Sequence, residues 1–314
     1  MMAWLAEPWS YDFMVRALVI TLAASGVGAM LSAWLVHIGW SLMGDAVSHA
    51  VLPGVVIAPL VGLPYAIGAL AFGLATVWLI QGVREHSRVK EDAAIGVVFS
   101  TLFAFGLVLI SVTTSEVDRA HILFGNMLGI SDADAMQVLA LSAVALAVIL
   151  MWRRQFTWFA FDRAHMASLG RSPKATAAVM LVVLALVAVA ALQAVGVVLV
   201  VAMLITPGAT AHLLTNSIGR MLWVAPAIAA AVTVVGLYAS YYLDTASGAT
   251  VVTVHGIAFG LAFVFGRYGV LGRRRRRVAV PGSVPGGDGA GGAEPEGAKV
   301  DGAGPAGTRP TGEA

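Results

Sequence analysis

Apolar runs of about twenty residues, each bounded by a charge or a Gly/Pro break, recur along this chain from residue 13 to residue 266. That length is what a helix needs to cross the hydrocarbon of a bilayer. Charged residues are only 11% of the 314 positions and hydrophobic ones 59%. A soluble domain carries about 25% charged residues, so this chain lacks the polar surface to cover a globule in water. The runs span 13–37, 41–62, 64–83, 93–112, 131–152, 177–194, 195–214, 221–242 and 247–266. They predict an all-α polytopic membrane protein with eight or nine transmembrane helices, because the pair meeting at Ala194 reads equally as one long helix or a broken one. Small residues fill these runs, as in LAASGVGAM at 22–30 and ALAFGLAT at 69–76, and small faces let membrane helices approach closely.

The basic residues lie in loops rather than on one face, so the net charge of +2 and the pI near 9.1 speak for membrane orientation and against nucleic acid. Three basic loops stand out: Arg84, Arg88 and Lys90; Arg153 to Lys174; and Arg267 with Arg273 to Arg277. If all three are cytoplasmic, the loop with Glu116 and Asp118, and also Asp244, fall outside. Three spans before Arg84 then leave the N-terminus extracytoplasmic, whereas an eight-span count moves it inside. The opening MMAWLAEPWSYDFMVR has no basic start and no small-residue cleavage site, so it does not read as a signal peptide. The chain has no cysteine, which excludes disulfides and thiolate metal sites. Two regions are expected: a transmembrane domain over 1–272, and a basic cluster with a disordered cytoplasmic tail over 273–314. That tail is rich in Gly and Pro and poor in large apolar residues. The arginine run before it suits anionic headgroups.

Ionisable groups inside apolar runs are costly, so each is a functional candidate. In SLMGDAVSHAVLPG at 41–54, Asp45 and His49 are four residues apart and share one helix face. A carboxylate oxygen and an imidazole nitrogen at that spacing suit Mn²⁺, Zn²⁺ or Fe²⁺. Two ligands alone are a weak site, and two copies facing each other would supply four. The same pair also reads as an intramembrane hydrogen bond or a proton relay. Pro53 frees a carbonyl and predicts a bend of the kind tolerated beside a cavity. His255 and His212 stand alone in their runs and read as hydrogen-bonded structure, whereas His37 and His121 sit near span ends where solvation is expected. Asp92 reads as a helix N-cap. Thr206-Pro207-Gly208 reads either as a kink or as a loop. The stretch from Arg153 to Gly170 is amphipathic, and it reads as a short interfacial helix that either anchors or docks onto a cytosolic partner. No G-x-x-x-x-G-K-[ST] pattern occurs in the chain, so any use of ATP falls to another subunit.

From about Phe13 to Gly266 the chain resembles the ABC-transporter permeases for manganese, zinc and iron. The resemblance is carried by SLMGDAVSHAVLPGVVIA at 41–58, VKEDAAIGVVFS at 89–100, FDRAHMASLG at 161–170, VVLVVAMLITPGATAHLL at 197–214 and YLDTASGAT at 242–250. The arginine cluster and long tail depart from the family's compact pattern. The resemblance implies a multi-pass permease of the bacterial cell membrane that is not itself an enzyme. It also implies a second permease copy (a homodimer), cytosolic ABC ATPase subunits and an extracytoplasmic metal-binding protein. No cofactor is bound permanently, and the transported ion is a divalent metal, Mn or Zn, with manganese favoured by the wording of the first motif. Asp45 and His49 match the family's metal path. Phe161, Asp162, His165, Leu169 and Gly170 fall in the segment that couples to the ATPase, where Gly170 would permit close approach. The binding protein is expected near the 113–121 and 243–247 loops, and uptake is expected to fall at acidic pH because both ligands must be deprotonated. A proton-coupled secondary metal transporter is the competing reading, although no internal inverted repeat is visible. An intramembrane metalloprotease lacks its H-E-x-x-H pattern.

Overall fold

The computed structural model describes residues 7–113 and 130–271. A single 3₁₀ turn, Glu7–Ser10, precedes eleven helices among the described residues. They are α1 Asp12–Ile38, α2 Ser41–Ala50, α3 Leu52–Leu60, α4 Tyr65–His86, α5 Glu91–Val112, α6 Asp132–Phe161, α7 Arg163–Ser168, α8 Pro173–Val195, α9 Val197–Leu214, α10 Ile218–Leu243 and α11 Ser247–Phe265. Eight segments are long and apolar enough to cross a membrane, with α2 and α3 counted together as Ser41–Leu60; α9 is a shorter apolar helix. The tail expected at 273–314, and the loop carrying Glu116, Asp118 and His121, lie outside the described residues.

Local chemistry sets the helix ends. The Ser131 hydroxyl accepts from the Asp134 N–H at 3.1 Å, and the Ser172 hydroxyl accepts from the Ala175 N–H at 3.2 Å, each satisfying a donor that has no partner within its helix. Pro173 follows Ser172 at the first helical position, where its missing N–H does no harm. The break between α8 and α9 falls at Gly196, whose φ of 78° ends one helix and starts the next. The paired run around Ala194 is therefore two helices.

α1 and α8 form the centre of the bundle. Leu31, Trp34 and Leu35 of α1 are fully enclosed, as are Leu181 and Leu184 of α8. α1 packs against α6, α8, α9 and α10, while α2 packs against α5. Close approach depends on small residues, as the glycine- and alanine-rich runs predict. Gly208 of α9 lies against the Ser32 backbone of α1, and Gly236 of α10 against Val251 of α11. Ser25 and Thr233 bring hydroxyls together across α1 and α10 at 3.5 Å.

Three expectations change. Thr206-Pro207-Gly208 is not a loop: α9 runs through it with Pro207 inside the helix. Pro207 has no N–H for the Met203 carbonyl four residues back, and that carbonyl faces Gly28 of α1. The stretch after Arg153 is not a separate interfacial helix. α6 continues unbroken to Phe161 over 30 residues, about 45 Å, and only the six-residue α7 follows. Asp92 does not cap α5, since Lys90 holds that place and no side chain caps it. Asp92 sits within the first turn, where its charge still faces the positive end of the helix dipole.

The helix ends sort by charge. At one end the Arg84 guanidinium lies over Trp40 at 5.9 Å, Lys174 pairs with Glu85 at 3.5 Å, and Arg163 lies over Phe159 at 4.4 Å. At the other, Arg16 pairs with Asp132, and Tyr11 stacks near Tyr241 at 6.0 Å. The described basic loops therefore share one end, called the basic end below.

Candidate metal-ligand pair and coupling segment

Asp45 and His49 lie on one face of α2, about one and two turns respectively from its start at the basic end. Their side chains meet, with His49 Nε2 3.2 Å from Asp45 Oδ1. Metal–ligand bonds to imidazole and carboxylate are about 2.0–2.2 Å, so two ligands on adjacent corners of one ion stand about 3.0–3.5 Å apart. The spacing is compatible with sharing one first-row divalent cation and equally with a direct hydrogen bond between the two side chains. The side chains are neither sealed nor free, at 34% exposed for Asp45 and 25% for His49.

Two aromatic rings of α5 hold the imidazole. Phe99 lies 5.5 Å from it and Phe103 stands edge-on at 5.4 Å, and the two phenylalanines stack on each other at 5.9 Å. His49 Nδ1 is buried without a hydrogen-bond partner among the described residues. Metal-binding histidines usually fix their ring by donating that N–H; here packing does the work instead. Sequence reasoning missed both phenylalanines. Their signal is an aromatic pair four apart in VVFSTLF, but nothing in the sequence says which helix they face. Behind the pair, the Ser48 hydroxyl donates to the Asp45 carbonyl at 2.8 Å. Pro53 is the second residue of α3 and offers no N–H to the His49 carbonyl. The helix is interrupted at Val51, just beyond the pair.

No group of three or more His, Cys, Asp or Glu side chains able to hold a metal occurs among the described residues. Asp45 and His49 therefore stand as a pair, with no third such side chain grouped with them among the described residues. His255 is fully buried, yet neither ring nitrogen has a hydrogen-bond partner among the described residues. The expectation of a hydrogen-bonded structural histidine is not met there, because its neighbours on α11 are apolar, Val251 among them. His212 does not stand alone: its ring is 6.3 Å from that of His37.

At the basic end, the Phe161 ring lies 4.5 Å from that of His37, tilted by 50°, while remaining 60% exposed. Asp162 ends α6 and caps α7, its carboxylate accepting from the His165 N–H at 2.8 Å. Met166 is buried and anchors the turn, whereas His165 and Leu169 are exposed. Gly170 has φ 71°, a conformation that closes the turn through Gly170 N–H to Ala167 O (3.0 Å) and Arg171 N–H to Met166 O (3.2 Å). Within this chain, glycine is needed there for its backbone conformation. The five residues expected to couple thus form one exposed knuckle between α6 and α8.

A bundle of membrane-crossing helices, one of which carries a carboxylate–imidazole pair, defines a polytopic membrane protein. The chain belongs to the ABC 3 transport family, whose model matches residues 10–266. It is 42% identical over 279 residues to the manganese transport system membrane protein MntB of Synechocystis, covering 88% of this chain and 91% of that one. It is 43% identical over 278 residues to the chelated iron transport system membrane protein YfeC of Yersinia pestis, covering 88% and 94%. Among solved structures it resembles PsaBC from Streptococcus pneumoniae in complex with Fab. The TM-score there is 0.79 at 34% identity, covering 88% of this chain and 99% of that one. The chain is accordingly a multi-pass protein of the bacterial cell membrane.

Proposed function

We propose that this chain is the permease subunit of an ATP-driven importer for a divalent metal ion, with manganese the favoured cargo. The observation that carries this reading is the Asp45–His49 pair, spaced at 3.2 Å for one ion and partly open. A two-ligand site binds weakly, and a second copy of the chain facing it supplies the other two ligands. Four ligands replace enough of the ion's water to select it while still releasing it. Relatives named for manganese and for chelated iron support a first-row divalent cargo. Oxygen from Asp45 suits manganese, and nitrogen from His49 suits iron and zinc as well.

In this reading the basic end faces the cytoplasm and the N-terminus lies outside. An extracytoplasmic binding protein delivers the ion near the α10–α11 turn and the loop after α5. Cytosolic ABC ATPases dock on the knuckle formed by Phe161, Asp162, His165, Leu169 and Gly170. Because that knuckle is the rigid extension of α6 and touches α1 through His37, ATPase motion reaches the bundle through packed side chains.

The test is ATP-dependent uptake of manganese, iron and zinc by cells carrying the complete transport system. Asp45→Ala and His49→Ala are expected to abolish uptake of one of these metals, naming the cargo. Uptake that persists in the double variant would remove the pair from the metal path. Uptake driven by a proton gradient without ATP would return the reading to a secondary transporter, which the family assignment disfavours.

A further inference from the structure

A cavity of about 650 Å³ opens at the basic end, away from the Asp45–His49 pair. One wall is α4, with Leu74, Val77 and Trp78; α8 supplies the floor through Ala177, Ala178 and Leu181; Phe159 and Arg163 close the third side. Its chemistry divides by depth. The trough is aliphatic and aromatic, whereas the rim carries Arg84, Arg163 and Lys174 against the one carboxylate of Glu85. Both guanidiniums lie over aromatic rings, Arg84 over Trp40 at 5.9 Å and Arg163 over Phe159 at 4.4 Å. This places positive charge where the apolar trough ends.

We propose that this groove is a binding site for an anionic phospholipid, with its phosphate at the Arg84/Arg163/Lys174 rim and an acyl chain in the trough. Depth favours a lipid over a docked protein. Leu74 lies twelve residues before His86, the last residue of α4, which puts the inner end of the trough about 18 Å below the helix end. An acyl chain reaches that depth from the bilayer, and a soluble subunit does not. Trp78 is 75% exposed and leaves the wall open on one flank, as an interfacial tryptophan does. Three cations against one carboxylate select an anionic headgroup over a zwitterionic one, and basic pockets between helices on the cytoplasmic side are where such headgroups bind. The phosphate would tie α4 and α8 to Arg163, the first residue of α7. Its influence on ATPase coupling rests on the function proposed above; the binding itself does not.

Native mass spectrometry of the purified full chain, titrated with phosphatidylglycerol and phosphatidylcholine of identical acyl chains, tests the site. Phosphatidylglycerol is expected to bind in preference. Each cation near an anionic lipid is worth about fivefold in affinity, so Arg163→Gln with Lys174→Gln lowers binding of phosphatidylglycerol about 25-fold and leaves phosphatidylcholine unchanged. Trp78→Ala, which removes no charge, weakens both lipids and serves if the double variant folds poorly. The arginine cluster at 273–277 is present in every protein compared, so its own attraction for lipid cancels. Equal binding of the two lipids, or an unchanged double variant, overturns the proposal. So does displacement by inorganic phosphate, which would make the site one for a free anion. Loss of ATPase binding in the double variant with lipid binding intact would make the groove a protein-docking surface, and equally overturns it.

Discussion

Gly208→Ala puts the packing argument at its greatest risk. A Cβ on Gly208 would lie 2.6 Å from the Ser32 carbonyl oxygen and 2.7 Å from its carbon. The Ser32 hydroxyl, at 2.5 Å, can rotate away, but the carbonyl is backbone, so side-chain rotation alone does not relieve the clash. Carbon–oxygen contacts between helices settle at about 3.3–3.6 Å, so α9 must move from α1 by about 0.7–1 Å. A gap of that size forfeits a quarter to a half of the dispersion energy along the contact. Overpacked sites of this kind lose about 1–3 kcal/mol, and the upper part of that range applies because backbone meets backbone. Gly82→Ala is the matched control: a Cβ there meets nothing within 4 Å. Replacing glycine in a helix interior by alanine then stabilises by about 0.5–1 kcal/mol. Denaturant unfolding of the purified chain in detergent measures both, and the expectation is opposite signs separated by about 3 kcal/mol. A Gly208→Ala protein as stable as the native one would show that α1 and α9 are not held at the distance described. The small-residue reading of the bundle would then fail with it.

The remaining predictions concern the two functional regions. Asp162→Ala removes the α7 cap and is expected to cost about 1 kcal/mol and to lower ATP-driven uptake; Asp162→Asn, which can still accept from the His165 N–H, should restore most of it. Leu169→Asp changes an exposed residue, so stability should stay within about 0.5 kcal/mol while co-purification with the ATPase subunit is lost; unchanged co-purification would remove Leu169 from the docking surface. Phe103→Ala frees one flank of the His49 ring, and loss of such orienting support typically costs about 10–100-fold in metal affinity. That loss should appear as a raised half-saturation concentration for uptake, and an unchanged value would mean that the Asp45 contact alone orients the imidazole.

What the sequence could reveal follows from which interactions are local. Span positions were legible because the hydrocarbon imposes its length on each segment separately: the run at 41–62 became Ser41–Leu60, and that at 247–266 became Ser247–Phe265. The Asp45–His49 meeting was legible for the same reason, since helical periodicity alone puts i and i+4 side by side. The end of α6 was not. Arg153 and Arg154 read as the close of a span, but a helix that leaves the bilayer has no reason to stop there, and this one continues to the Asp162 cap.

Contacts between helices were less legible still. Phe99 and Phe103 lie some fifty residues from His49, and the pattern within α5 does not record which rings it presents to α2. Phe161 and His212 both meet His37 from other helices, so His212 looked solitary when its own run was read alone. The same reasoning explains what one chain leaves incomplete. A carboxylate and an imidazole one turn apart meet with no third such side chain grouped with them among the described residues, and the aromatic flank holds that pair without adding a donor. In the proposed reading, the missing ligands come from a second chain rather than from a deeper fold of this one. The site would then exist only where two copies meet, and its affinity would depend on how the ATPases hold them together. A permease in which metal affinity follows subunit geometry can bind in one state and release in the other without any ligand changing its protonation.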